Sequence, residues 1–370
     1  MQGGRILVKK APKRLYLVPI LSKALDILEL MQGEKEPISL EAIYQQTRIS
    51  KTTVYRILKT FVHRGYLAQT QNGLYRLVSR PKKILFGFAA QSSEMPFSEA
   101  VRASLQSAAS AAGVDLLVLD NRYDTETALR NADELVGQHV DLAIEFQTDQ
   151  QVAPILADKI SGAGIPLIAV EMPHPHSTYF GVDNYRVGFE AGEILAQHAI
   201  TQWKSQVDWV IGLELEEAGP LVQSRITGAF EAVRKQLPEI PVECFVRLDA
   251  RGLREKSYKI VLDFLRRHPK DRHILVASTN DTVALGALQA ARELKREKDL
   301  AIVGQDCIPE ALSEIAAPRS CFIGSISHEV EKYGPELISL GLAILRGQTV
   351  APYNYAYHRS VTRESLQQEG

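Results

Sequence analysis

Long hydrophobic runs are missing: no stretch of the 370 residues approaches the roughly 20 consecutive apolar residues that span a bilayer. The start, Met1-Gln2-Gly3-Gly4-Arg5-Ile6-Leu7-Val8-Lys9-Lys10, holds no apolar core of signal-peptide length, which predicts a cytoplasmic protein without membrane contact. Cysteine is scarce. Cys244, Cys307 and Cys321 are odd in number and lack CxxC spacing, which argues for a reducing compartment and against a disulfide or zinc framework. GxGxxG, Walker A and GxSxG motifs are absent, and Gly87-Phe88-Ala89-Ala90-Gln91 lacks the glycine-rich turn that a nucleotide phosphate requires. His174 and His176 form a His-x-His pair with no third or fourth ligand in view, so neither a metal nor another cofactor is expected. These absences argue against an enzyme, and the missing signal peptide argues against an extracytoplasmic transport receptor.

What is present is an uneven distribution of charge. The net charge is only −1, yet residues 1–83 carry 16 Lys and Arg against five Asp and Glu, a net +11. Residues 84–370 carry 27 against 39, a net −12. Such asymmetry marks a nucleic-acid-binding end joined to an acidic domain. Membrane-surface binding competes with that reading, but it needs an amphipathic basic helix, and none is apparent. Hydrophobic residues at 45% and charged residues at 24% make an ordinary globular mix, and the length suggests two or three compact units.

In the basic end, Ile20, Ala24, Ile27, Leu28 and Met31 form an apolar helical stripe that Gly33 and Pro37 terminate. Ser39 is a candidate N-cap for a second helix to about Gln46, with Leu40 and Ile43 inward. After the turn Thr47-Arg48-Ile49, Ser50 caps a third helix over about 51–64. That helix buries Val54, Ile57, Leu58 and Phe61 and presents Lys51, Thr52, Tyr55, Arg56 and Lys59. Gly65 ends it. Tyr66–Thr70 and Leu74–Leu77 flank Asn72-Gly73 as a hairpin. Helix, helix, turn, helix, hairpin is a winged helix-turn-helix, whose third helix enters the major groove of double-stranded DNA. The candidate DNA-contacting residues are Arg48, Ser50, Lys51, Thr52, Thr53, Tyr55, Arg56, Lys59 and, on the wing, Arg76. The segments Pro19–Leu28, Ile49–Leu58 and Arg64-Gly65-Tyr66-Leu67 resemble, in order and spacing, the DNA-binding domain of IclR-type regulators. A helix-turn-helix used only for protein contacts is the competing reading. Lys9, Lys10, Lys13 and Arg14 form a preceding basic arm, either a groove or phosphate contact or a solubilising tail.

From Lys83 the rhythm changes to short apolar runs alternating with helices. Ile84–Ala90, Val114–Leu119, Val140–Phe146 and Ile165–Val170 alternate with helices at Ser98–Ala112, Thr125–Gly137 and Val152–Ala163. After Asp183-Asn184 the series restarts, with strands at Val207–Leu213, Val242–Val246, Ile274–Ser278 and Leu300–Val303. Its helices are Arg186–Ala199, Leu221–Gln236, Arg254–Arg267 and Thr282–Lys295. The expected fold is α/β: an N-terminal α+β winged helix-turn-helix, then a sensor of two doubly wound parallel-sheet lobes. The expected division is a basic arm at 1–16, the winged domain at 17–78, a linker at 79–82 stiffened by Pro81, and the sensor at 83–365.

Six segments in order are similar to the sugar-binding branch of the type I periplasmic-binding-protein fold, shared by ribose-type binding proteins and LacI-type repressors. They are Met95-Pro96-Phe97, Gly164–Glu171, Gly181–Gly188, Arg225–Phe230, Thr279–Ala287 and Val303-Gly304-Gln305-Asp306, followed by Gly324-Ser325-Ile326-Ser327-His328. Each lies at a strand C-terminus or the loop after it, where doubly wound folds place ligand contacts. A sugar needs polar groups around its rim and a ring against its face. Phe97 is the candidate stacking ring, Glu171 and Asp306 the hydroxyl acceptors, and Arg225 and Asn280 the donors. His328 stands where the family often has glutamine. The last pair to be placed, Asn280 and Asp306, is expected to come from the second and first lobes respectively.

Each assignment has a bland counterpart. Phe97 can be plain core, Asn280 or His328 a helix cap, and Arg225 with Asp306 a structural ion pair. Two departures from ribose-type proteins matter: Met95 replaces an Asn, and Glu171-Met172 replaces Asp-Arg. The loss of that amide and guanidinium weakens the case for a plain pentose or hexose. The resemblance implies a ligand-responsive transcription regulator that dimerises, or assembles further, through the sensor. The alternative is a small-molecule-binding protein or enzyme whose N-terminal domain makes protein contacts.

Overall fold

The computed structural model describes residues 18–34, 36–78 and 83–369. The basic arm and the linker at 79–82 lie outside them. The chain divides into two compact units, residues 1–82 and 83–370.

In the first unit, helices Pro19–Gly33, Leu40–Thr47 and Lys51–His63 precede the antiparallel pair Leu67–Gln69 and Tyr75–Leu77. Ser39 Oγ accepts from Ala42 N at 3.1 Å and Ser50 Oγ from Thr53 N at 3.4 Å, so each serine closes a free helix N-terminus. Arg48, in the left-handed region at φ 56°, ends the second helix and turns the chain into the third. The core gathers Ile27, Met31, Ile43, Val54, Ile57, Leu58, Leu67 and Tyr75. Ile20, expected within it, is 56% exposed. It shares the face of Ala24, Ile27 and Met31, but its turn of helix extends past the small core. Ile38 also bridges Tyr75 through two 2.8 Å backbone bonds, adding a third segment to the wing.

The second unit holds two six-stranded sheets. In the first lobe the strands run, in spatial order, Tyr353–Tyr355, Thr178–Gly181, Leu167–Val170, Leu142–Glu145, Leu85–Ala90 and Asp115–Asp120, all parallel. In the second the order is Arg359–Thr362, Phe322–Ser327, Leu300–Gln305, Ile274–Ser278, Trp209–Glu214 and Phe245–Asp249. Its outer strand Arg359–Thr362 is antiparallel, which modifies the expected all-parallel sheet. Val242–Cys244 is a 3-10 turn, and the strand expected there begins at Phe245. In both lobes the chain order reverses beside the first strand of the lobe, opening a crevice at the strand C-termini.

The chain passes from first to second lobe after Gly181, returns after Ser327, and crosses again after Tyr355. The strands at 178–181, 322–327, 353–355 and 359–362, with helices Pro309–Ala316, Tyr333–Leu345 and Arg363–Glu369, were not part of the expected series. Several are three or four residues long, too short for periodicity to register. Helices Asn184–Trp203 and Gly219–Gln236 pack backbone to backbone in the second lobe. A Cβ on Gly188 would lie 1.9 Å from the Arg225 carbonyl oxygen. That close approach positions Arg225 at the crevice.

Candidate functional site

On the first unit, Arg48, Lys51, Thr52, Tyr55, Arg56 and Lys59 are all exposed, as is Arg76 on the wing. Lys51 Nζ is 2.6 Å from Glu41 and 5.1 Å from the Tyr44 ring centroid. An exposed pair of this kind is worth little in water, and a phosphate can displace the carboxylate. Tyr55 is 48% exposed, with Lys59 Nζ 5.7 Å from its ring centroid. Ser50 and Thr53 differ from the others. Their hydroxyls lie 2.9 Å apart and Ser50 Oγ caps the helix, so they shape its N-terminus.

On the second unit, Phe97, Glu171, Arg225, Asn280 and Asp306 line one cavity of about 70 Å³ between the lobes. Glu171 and Asp306 follow strands Leu167–Val170 and Leu300–Gln305, with φ of 62° and 102°. Strained positive-φ residues at strand ends are typical of functional loops. Backbone bonds hold both: Glu171 N donates to Phe180 O at 2.9 Å and Asp306 N to Ile326 O at 2.8 Å.

Arg225 and Glu171 join the two lobes. Arg225 Nη2 donates to Glu171 Oε2 at 2.7 Å, Nε to Asn184 Oδ1 at 2.5 Å and Nη1 to Thr279 O at 2.8 Å. Glu171 Oε1 accepts from the Tyr333 hydroxyl. Arg225 therefore pairs with Glu171, not with Asp306, and the pair is buried. Other contacts also cross the crevice. Gln150 N donates to Glu217 O at 2.8 Å, and the Tyr123 hydroxyl lies 3.2 Å from Glu217 Oε1 and from Arg251 O. Ala153 and Met172 of the first lobe pack with Leu215, Ala218 and Val222 of the second.

Asp306 belongs to the second lobe, a correction to the expected first. Strand Leu300–Gln305 pairs with Ile274–Ser278 and Phe322–Ser327, and the chain returns only after Ser327. Burial, reinforced by nearby Asp281, holds the Asp306 carboxyl well above the usual carboxylate range. Asp281 is itself fully buried and raised by burial. It accepts from Ser325 Oγ at 2.7 Å and Ile308 N at 2.9 Å, pinning the loop that carries Asp306.

Asn280 performs the capping role: its Oδ1 accepts from Val283 N at 2.8 Å, leaving its NH2 group unused by the cap. Phe97 is half-buried and meets Phe146, His328 and Tyr333 edge-on, so it is both core and cavity wall. His328 stands behind the cavity and caps no helix. Its Nε2 is 3.3 Å from Gln305 Oε1 and its Nδ1 3.5 Å from Asp306 Oδ1, and burial holds the imidazole neutral, well below its usual range. Sequence reasoning missed Thr279, a lining residue whose hydroxyl oxygen is buried with no partner, and Met172, Phe146 and Tyr123 beside it. It also missed Tyr333, for which nothing local signals a partner 162 residues away.

Among the described residues no cluster of three or more His, Cys, Asp and Glu could hold a metal ion, and no helix is long and apolar enough to cross a membrane. His174 is buried with Nδ1 3.0 Å from Met172 O, and burial pushes its pKa down to about 4.

Comparison with known proteins follows the same division. Residues 20–71 match the model of the IclR helix-turn-helix domain, and residues 86–349 match that of the periplasmic binding protein domain. Among solved structures, an ABC sugar transporter subunit from Rhodobacter sphaeroides 2.4.1 is 22% identical, covering 76% of this chain and 98% of its own, with a TM-score of 0.66. A periplasmic solute binding protein from Actinobacillus succinogenes 130z with bound D-allose is 20% identical, covering 77% and 100%, with a TM-score of 0.67. A solute binding protein from Agrobacterium vitis with bound allitol is 17% identical, covering 78% and 98%, with a TM-score of 0.69. At these identities the likeness is one of fold. No curated protein matches the chain.

Proposed function

The chain belongs to the family of the periplasmic binding protein domain, and from that membership we propose that it is a cytoplasmic, ligand-responsive transcription regulator. The observation that carries the reading is the joining, in one chain, of an exposed basic recognition helix to a cavity closed between two lobes. The helix supplies phosphate and base contacts through Lys51, Thr52, Tyr55, Arg56 and Lys59, with Arg48 and Arg76 flanking. Ser50 and Thr53 set the helix N-terminus.

The sensor ligand is a small molecule of sugar or polyol type, and the D-allose and allitol held by proteins of the same fold support that class. Phe97 packs against its face, while Arg225, Asn280 and Asp306 bond its rim. Glu171 acts by holding Arg225, and His328 by backing Phe97 and Asp306. The protein binds and releases this ligand unchanged.

Ligand acts by favouring one lobe arrangement over another, which in a homodimer alters the fit of two heads to two half-sites. The test is fluorescence anisotropy of the full chain on an operator selected from random DNA, with and without sugars and polyols. Sedimentation of residues 83–370 tests the dimer. Failure to select any DNA sequence would overturn the regulator reading, and a monomeric fragment would overturn assembly through the sensor.

A further inference from the structure

Both lobes give the cavity wall polar and apolar residues, but the hydrogen-bonding groups still free are concentrated on the second. On the first lobe the polar groups at the wall are engaged except for the Gln91 side-chain oxygen. Glu171 holds Arg225 and Tyr333, Gln91 Nε2 lies 3.4 Å from Thr148 Oγ1, and the Tyr123 hydroxyl faces Glu217 and Arg251 O. Apart from that oxygen, what the lobe offers a ligand is the apolar surface of Met95, Phe97, Phe146 and Met172.

Most of the unengaged capacity lies on the second lobe. Thr279 Oγ1 is buried without a partner. Asn280 commits its oxygen to the helix cap and keeps its NH2. Arg225 has five N–H groups, three of them in use, and Asp306 stands beside these donors.

From this distribution we infer that the cleft selects a small uncharged ligand with one hydrogen-bonding edge and an otherwise apolar body, such as a deoxy sugar, over its fully hydroxylated parent. The inference rests on the sensor reading above and narrows it. The edge meets Thr279, Asn280, Arg225 and Asp306, and the body meets the methionine and phenylalanine wall.

A hydroxyl turned to that wall exchanges water for carbon and finds no partner, and an apolar pocket rejects an added hydroxyl by up to about 100-fold. Charge points the same way. The Arg225 cation is already matched by the Glu171 carboxylate, so a ligand carboxylate finds no unmatched cation at this wall.

Calorimetry on the full chain at pH 7 tests this with matched probes: L-fucose against L-galactose, L-rhamnose against L-mannose, 2-deoxy-D-ribose against D-ribose, and D-galacturonate. At least one deoxy sugar should bind roughly 10- to 100-fold tighter than its parent, and D-galacturonate should not bind. Met172→Gln, which adds hydrogen-bonding capacity to the wall, should narrow that ratio, and a melt of the variant checks its folding. Parents binding as tightly as their deoxy partners, or D-galacturonate binding best, overturns the inference and leaves the sensor reading standing. Absence of binding by every probe overturns the narrowing and the sugar-type ligand together, while operator selection still reports separately on the regulator.

Discussion

Replacing Arg225 with Met removes the cation that spans the lobes and keeps much of its stem. Glu171 is then left buried with only the Tyr333 hydroxyl, and Asn184 Oδ1 and Thr279 O each lose a charged donor. Breaking a buried pair by deleting one partner costs about 3–5 kcal/mol, because the remaining charge is uncompensated. Glu171→Gln in the same background removes that charge. The double variant should therefore recover a large part of the loss, with a coupling of at least about 2 kcal/mol between the two sites. Urea titration reads this directly. Both tryptophans, Trp203 and Trp209, lie in the second lobe, so their fluorescence follows the sensor while circular dichroism follows the whole chain. A loss below about 1 kcal/mol for Arg225→Met, or simple additivity in the double variant, would refute the claim that this pair is a buried, mutually dependent tie.

Arg56→Ala should weaken operator binding, either lowering the salt slope by about one unit as a phosphate contact or costing about 1–3 kcal/mol at one base position. Lys51→Ala should do the same less strongly, because Glu41 competes for its charge; anisotropy over a salt series separates these outcomes, and unchanged binding in both variants takes the helix out of the groove. Glu145 is fully buried, and burial raises its pKa from 4.5 to about 8. Its carboxyl is protonated in both states below pH 4.5, so its contribution is intact there. As the pH rises toward 8 only the unfolded chain ionises, and stability falls by up to about 1.4 kcal/mol per pH unit. Glu145→Gln keeps an acceptor for Asn121 Nδ2 and should gain on the parent steadily between pH 5 and 8 in urea midpoints; parallel curves would contradict the assignment. Gly188→Ala should cost about 1–3 kcal/mol or more, since its Cβ would meet the Arg225 carbonyl oxygen at 1.9 Å, and a thermal melt like that of the parent would mean the two helices separate cheaply.

Much of this architecture is readable along the chain because it depends on local chemistry. Ser39 and Ser50 announce their helices by capping them, and the apolar runs at 85–90, 142–145, 167–170, 274–278 and 300–305 announce buried parallel strands. Strand C-termini then lead to Phe97, Glu171, Asn280 and Asp306 without any knowledge of contacts. What stayed hidden depends on how the chain returns. Whether Asp306 serves the first or second lobe turns on a crossing after Ser327, which no residue near Asp306 signals. Glu171 reads as a hydroxyl acceptor in the sequence, yet Tyr333 and Arg225 occupy both of its oxygens. Ile20 has the right periodicity for the core, but periodicity does not say where a small core ends.

The proposed regulator works only if occupancy of the cavity around Arg225, Asn280 and Asp306 controls DNA binding by the basic helix. Operator affinity of the full chain, measured with and without the tightest-binding sugar, tests it most directly when repeated on Asp306→Asn. The parent should change its affinity on adding the sugar. The variant should bind operator as the parent does without sugar, and answer it only at concentrations about 5- to 150-fold higher. An Asp306→Asn protein that loses operator binding while keeping its sugar affinity would contradict the account, as would a parent whose operator affinity ignores a sugar that calorimetry shows to be bound.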